Sequence, residues 1–115
     1  DVINVEQDTS LIKQLNPLDV VVTAPVNKAQ TTNDLSHYDF ISRYFWPANG
    51  SDEDPVTGSI HTGLAPYWAS ILNKYKLTAY QASSRGGVLN CHVKADRVFI
   101  SGNAQHYMSG TITIN

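Results

Sequence analysis

Apolar residues recur along this chain with two different periods. Ile60, Leu64, Trp68, Ile71 and Leu72 stand at i, i+4, i+8, i+11 and i+12, and Ala65 and Ala69 extend the same side. This spacing belongs to one face of an α-helix and predicts one long helix over residues 59–75 with all five large residues inward. Pro66 falls within it, removes one helical hydrogen bond and predicts a bend near the middle. A shorter helix is expected over 8–15, capped by Asp8 or Thr9, carrying Leu11, Ile12 and Leu15, and ended by Asn16-Pro17. Elsewhere the period is two. Strands are predicted over 20–24, 38–46, 77–82, 88–93, 97–101 and near 110–114, because these segments are β-branched or aromatic and bounded by Gly, Pro, Asn and Asp. In the 38–46 segment one face would carry Asp39, Ile41, Arg43 and Phe45, with Arg43 bridging to Asp39, and the other Tyr38, Phe40, Ser42 and Tyr44. Leu89, Cys91 and Val93 would share one face of the next long strand. Turns are expected at Gly86-Gly87, Ala95-Asp96 and Gly102-Asn103, and polar loops over 27–36 and 47–58. A series of antiparallel strands around one apolar helix is the α+β class.

Composition narrows this picture. The chain has 115 residues, 42% hydrophobic and 16% charged; it is expected to be one domain with a real core, and this composition argues against disorder. At 12.7 kDa a compact fold should expose about 6,200 Å². Eight Lys and Arg against ten Asp and Glu give a net charge of −2, which argues against a broad footprint for nucleic acid or for an anionic membrane. Cys91 is the only cysteine, so neither a disulfide framework nor a two-cysteine zinc site is possible. His37, His92 and His106 are scattered and, with His61, give no metal-ligand spacing. No apolar run approaches the roughly 20 residues that span a bilayer, and no charged-then-apolar leader opens the chain, so a cytoplasmic protein is expected.

Chemistry concentrates in Asp52-Glu53-Asp54-Pro55-Val56-Thr57-Gly58-Ser59-Ile60-His61. An acidic, glycine-containing loop here runs into the start of the most apolar helix. The first N–H groups of a helix lack internal partners and carry the positive end of its dipole, so they can hold a carboxylate or phosphate without a basic side chain. Gly58 admits a ligand close to the backbone, Thr57 and Ser59 add hydroxyls, and Asp54 could handle a proton or grip an ammonium. Ser, Thr and Asp in this position are also ordinary N-caps. His61 either lines a cleft or hydrogen-bonds nearby backbone, and Arg85-Gly86-Gly87 is either an anion nest or simply a turn between strands.

The sequence resembles the PhzF-like proteins, named for the phenazine-biosynthesis isomerase. The resemblance rests on Asp39-Phe40-Ile41-Ser42-Arg43-Tyr44-Phe45, Pro47, Glu53-Asp54-Pro55-Val56-Thr57-Gly58-Ser59 and His61. In the same order follow Leu64-Ala65-Pro66-Tyr67-Trp68-Ala69, Gln81-Ala82-Ser83-Ser84-Arg85-Gly86-Gly87 and Arg97-Val98-Phe99-Ile100-Ser101-Gly102. It implies one domain of the diaminopimelate-epimerase fold: a curled, mainly antiparallel, barrel-like sheet wrapped around one central helix. The whole chain, 1–115, is then similar to the C-terminal half of a two-domain protein whose active site lies in the cleft between halves. The resemblance places Asp54 and Ser59 as catalytic-site residues, and Thr57, Gly58, Ser59 and His61 toward the substrate.

Several further expectations follow from it. The reaction is an isomerisation or epimerisation that moves a proton on a small carboxylate metabolite, with no metal or organic cofactor. Related epimerases use a cysteine pair, whereas PhzF-like members do not, and Cys91 does not fill that role. The family's main acid/base glutamate and its histidine partner belong to the N-terminal half, so this chain alone is expected to be inactive. Its expected partners are that half or a second copy in a homodimer. The alternative is a stand-alone module that binds a small anion, or serves as a scaffold, without chemistry.

Overall fold

The computed structural model describes residues 2–29 and 34–114; the predicted 27–36 loop lies in part outside them. Its regular elements are α1 (Thr9–Lys13), β1 (Val20–Pro25), β2 (Phe40–Phe45), α2 (Gly58–Leu72), β3 (Lys76–Gln81), β4 (Gly87–Lys94) and β5 (Arg97–Ser101), with short 3-10 turns at Val2–Asn4, Asp34–His37 and Pro47–Asn49. Every element lies within a few residues of its expected place except the last. The predicted strand near 110–114 is absent: residues 102–114 have no secondary structure and are exposed throughout. Thr111-Ile112-Thr113-Ile114 alternates like a strand, but a strand also needs a neighbour to satisfy its backbone.

The five strands form one sheet in chain order, β1 to β5. Three of its four pairings are antiparallel; β2 and β3 are parallel, with Phe40 beside Ala79 and Ser42 beside Gln81. A parallel pair requires a crossover, and the 46–57 loop with α2 provides it. The α+β, mainly antiparallel reading therefore holds. The barrel-like reading does not describe this chain, because the sheet is open and β1 and β5 remain as its edges.

The core lies between α2 and one face of the sheet. Phe40, Leu64, Ala65, Trp68, Ala69, Leu77, Ala79, Leu89 and Cys91 are buried there. The Phe40 and Trp68 rings stack at 6.0 Å, and Trp68 Nε1 donates to Thr23 Oγ1 of β1 at 2.9 Å. Asn73, with φ 52°, ends the helix in the left-handed region. The buried stripe is rotated toward the alanines, which let the helix sit close to the sheet. Ile60, Tyr67 and Ile71, spaced by seven and four residues, lie on the flank beyond it. Ile60 is half-buried, whereas Tyr67 is 56% and Ile71 55% exposed, so the inward prediction for Ile71 fails because the open sheet does not reach that flank.

Two global measures agree with this. The surface is 8,218 Å², about 2,000 Å² above the compact value. The radius of gyration is 16.1 Å, against about 13 Å for a compact domain of this length.

Candidate functional site

The parallel pair organises the site. The loop after β2 and the start of α2 lie at the carboxyl ends of β2 and β3. Register places Ser42 beside Gln81, and both are fully buried beneath the loop. Gln81 is the hub. Its Oε1 accepts from the Thr57 amide at 2.8 Å, and its Nε2 donates to the Asp54 carbonyl at 2.7 Å and to Thr57 Oγ1 at 3.1 Å. Ser83 Oγ donates to the Pro55 carbonyl at 2.8 Å. The Asp54 amide donates to the Tyr44 carbonyl at 3.0 Å.

On the other side Glu53 takes a two-pronged hydrogen bond from Arg43, 2.8 and 2.9 Å. Arg43 also donates to the Val5 and Ile3 carbonyls, and its bonds to Glu53 raise the guanidinium pKa further. The expected Arg43–Asp39 bridge is not formed. Asp39 instead faces Lys74 and Lys28, at 2.5 and 3.3 Å. Tyr44 donates to Asp19; burial first, then this neighbour, pushes its phenol up to about 12.

Asp54 is half-buried, and its Oδ2 accepts from Thr57 Oγ1 at 2.6 Å. Thr57 is the N-cap residue of α2 yet makes no side-chain capping bond, because its hydroxyl is engaged by Asp54 and Gln81. The capping reading of this segment is thus not what forms. Gly58 and Ser59 are exposed and open the helix with first-turn amides that no side-chain cap covers. A Cβ built on Gly58 would meet nothing within 4 Å, so the space before it is free.

His61 lies one helical turn below, fully buried. Its Nδ1 is 2.7 Å from the Thr57 carbonyl, which can only accept, so Nδ1 carries the proton. Burial lowers the imidazole pKa, leaving a neutral ring whose bare Nε2 faces Ser42 Oγ at 3.4 Å. With no exposed surface, His61 lines no cleft; it braces Thr57 from beneath.

Clefts flank the loop on both sides. One, of about 210 Å³, is lined by Trp46, Asn49, Ser51 and Asp54. A larger one, of about 560 Å³, is bordered by Val56, Gly58 and the Arg85-Gly86-Gly87 turn. Asp54 and Gly58 therefore open onto different hollows, only four residues apart. The glycines of that turn have structural reasons to be there. Gly86 has φ +70°, and a Cβ on Gly87 would come within 1.9 Å of Val56 Cγ2.

Cys91 is buried on β4, and burial pushes its thiol up to about 11, which leaves it unreactive. Gln81 and Ser42 were not singled out by sequence. Gln81 carried a readable signal: in Leu77, Ala79, Gln81 it occupies the inward parity of its strand, and an amide there must find partners.

Comparison with known proteins accords with this geometry. Residues 2–110 match the family described as phenazine biosynthesis-like protein, PhzC-PhzF. The chain is 51% identical over 88 residues to an uncharacterized isomerase of Pseudomonas aeruginosa, covering 76% of this chain and 34% of that protein. It is 50% identical over 95 residues to an uncharacterized isomerase of Halalkalibacterium halodurans, covering 83% of this chain and 33% of that one. The crystal structure of a phenazine biosynthesis protein of the PhzF family from Enterococcus faecalis superposes with a TM-score of 0.78 at 43% identity, over 90% of this chain and 37% of that chain. The chain thus spans about a third of the length of the curated relatives it matches. With a family match along nearly its whole length, an EDPVTGS loop opening the central helix and a fold shared with a solved member, this chain belongs to the PhzC/PhzF family of phenazine biosynthesis-like proteins.

Proposed function

We propose that this chain is the C-terminal half of an isomerase that moves a proton on a small carboxylate metabolite, working with a second half that supplies the main base. The observation that carries this reading is the uncapped start of α2, with Gly58 and Ser59 exposed and Asp54 fixed 2.6 Å from Thr57 Oγ1. A substrate carboxylate would rest on the Gly58 and Ser59 amides and the Ser59 hydroxyl. Neutralising that carboxylate makes the adjacent carbon more acidic, because the enolate-like charge that develops is stabilised by donors already in place. Asp54 opens onto the neighbouring hollow and would reach the substrate across the Thr57 edge of the loop, with Gln81 and Thr57 orienting it and His61 as a positioning residue. Proton abstraction needs a base within about 3 Å of the carbon acid, and on this reading that part falls to a glutamate outside this chain.

The assembly reading has its own support. The open sheet edges, the uncovered Tyr67 and Ile71 and the exposed Tyr107, Met108, Ile112 and Ile114 are a surface that a partner domain or a second copy would cover. On this reading the open sheet is one half of an epimerase-type, two-domain architecture.

The test is solvent deuterium wash-in to a panel of small chiral carboxylates. It would be run with the protein at its natural length and with the 115-residue chain. Exchange is expected only in the first, falling by about a hundredfold or more in Asp54→Ala. Equal exchange by both, lost in Asp54→Ala, would mean that this half carries its own base. Exchange indifferent to Asp54→Ala and Ser59→Ala would leave only anion binding at the helix start.

A further inference from the structure

A third hollow, of about 490 Å³, lies at the opposite ends of β2 and β3, on the sheet face turned away from α2. Register builds its floor in two rows. Lys76 pairs with His92 and His92 with Phe99; Thr78 pairs with Asn90 and Asn90 with Ser101. The first row is a cation, an imidazole and an aromatic ring, and the second is three neutral hydrogen-bonding groups.

Lys28, Lys74 and His37 stand at the rim, and Asp39 is the one carboxylate among the lining residues. Asp39 is buried, 7% exposed at its side chain, and a single oxygen of it faces both Lys74 and Lys28, whose own side chains remain 45% and 54% exposed. Burial alone would raise this carboxyl, but hydrogen bonds from Lys74, the Thr78 amide and Lys28 outweigh it and hold it below the ordinary value. The carboxylate thus gathers two ammonium groups and is over-neutralised by one. The Lys76 ammonium is in no ion pair or side-chain hydrogen bond among the described residues, its backbone pairing with His92 in the sheet. Three lysines against one aspartate give the hollow a net charge of +2 before either histidine is protonated, in a chain whose own net charge is −2.

We infer that this hollow binds a small oxyanion of two or more negative charges, a phosphoryl group or a polycarboxylate, at a site separate from the α2 start. The lysines would face the anion, Thr78, Asn90 and Ser101 would hydrogen-bond it, and the half-exposed Phe99 ring would cover its less polar part.

The test is NMR titration of the protein at its natural length with inorganic phosphate and with citrate, at constant ionic strength against chloride. Shifts are expected at Thr78, Asn90 and the His92 ring. Binding should weaken about tenfold in Lys76→Ala, the loss of one charge-assisted contact, and disappear in Asn90→Asp, while Lys13→Ala should leave it unchanged. Response to phosphate alone would support a phosphoryl ligand, and response to both a general multianion site. Absence of shifts beyond chloride up to about 10 mM, shifts only at Gly58 and Ser59, or binding unaltered by Lys76→Ala would overturn the inference.

Discussion

The loop before α2, residues 46–57, and the tail, residues 102–114, are both short and rich in small residues, and both adjoin regular structure. They end up in opposite conditions. In the loop, Gln81, Ser83, Tyr44 and Arg43 reach Thr57, Pro55, Asp54 and Glu53 from two strands and the turn after β3. The tail leaves its large side chains in solvent, with Tyr107 95% and Ile114 91% exposed. The loop carries Asp52, Glu53 and Asp54 and the tail no acidic residue, but what separates their conditions is whether partners stand opposite them. A loop whose polar groups find partners at fixed register becomes rigid at no cost in unsatisfied backbone. A strand-like sequence without a neighbour gains nothing from its alternation.

The contrast can be broken most strongly at the hub. Gln81→Leu would strip partners from the buried Thr57 amide and the Asp54 carbonyl, and is expected to cost about 2–4 kcal/mol in urea unfolding. Ile112→Ser in the tail should change stability by less than about 0.5 kcal/mol. A tail variant as damaging as the hub variant would show that the tail is packed after all.

Next in size, Gly87→Ala forces a Cβ against Val56 and is expected to cost about 1–3 kcal/mol, with much of the loss recovered in a Val56→Ala double mutant. Gly58→Ala, facing open space, should stay within about 1 kcal/mol. Recovery separates a steric role for Gly87 from a ligand-binding one.

Glu53→Gln removes the charge from a pair whose side chains are 14% and 16% exposed. About 1 kcal/mol is expected, since Arg43 keeps the Ile3 and Val5 carbonyls. Thermal unfolding of the single and Arg43→Ala double mutants would isolate the coupling.

The smallest effect is a slope. His61 is buried neutral with its pKa lowered from the ordinary 6.5. The unfolded chain therefore binds the proton more readily, so the stability is full above 6.5 and is lost as pH falls through the folded value. His61→Gln should flatten this part of the pH–stability curve, while Ile112→Ser should leave it as in the parent. An unchanged slope in His61→Gln would place the titration elsewhere.

Much of the fold was legible in periodicity. Helix and strand positions follow from local spacing, and α2 and β1 to β5 fall close to where the pattern puts them. The site was legible as a place: Asp54, Thr57, Gly58, Ser59 and His61 do cluster at one helix start. Their individual parts were less so. Thr57 looks like a cap but turns to Asp54 and Gln81, and His61 points inward. Arg43 chose Glu53, ten residues on, over the nearer Asp39, because the loop folds back along β2 while Asp39 is claimed from α2's far end by Lys74.

By itself, then, the sequence determined which segments are helix or strand, where the polar chemistry gathers and which family the pattern resembles. These are properties of neighbours along the chain, set by backbone geometry and the burial of apolar side chains. Only the tertiary structure decided the rest. It left the sheet open, rotated α2 onto its alanine side so that Ile71 stayed in solvent, and left the 110–114 segment without a strand to pair with. It also brought Gln81 under Thr57 and set Lys28 and Lys74 against Asp39, with Lys76 lining the same hollow. Each of these depends on which strand lies beside which and in what register, and register joins residues tens of positions apart that no local period relates.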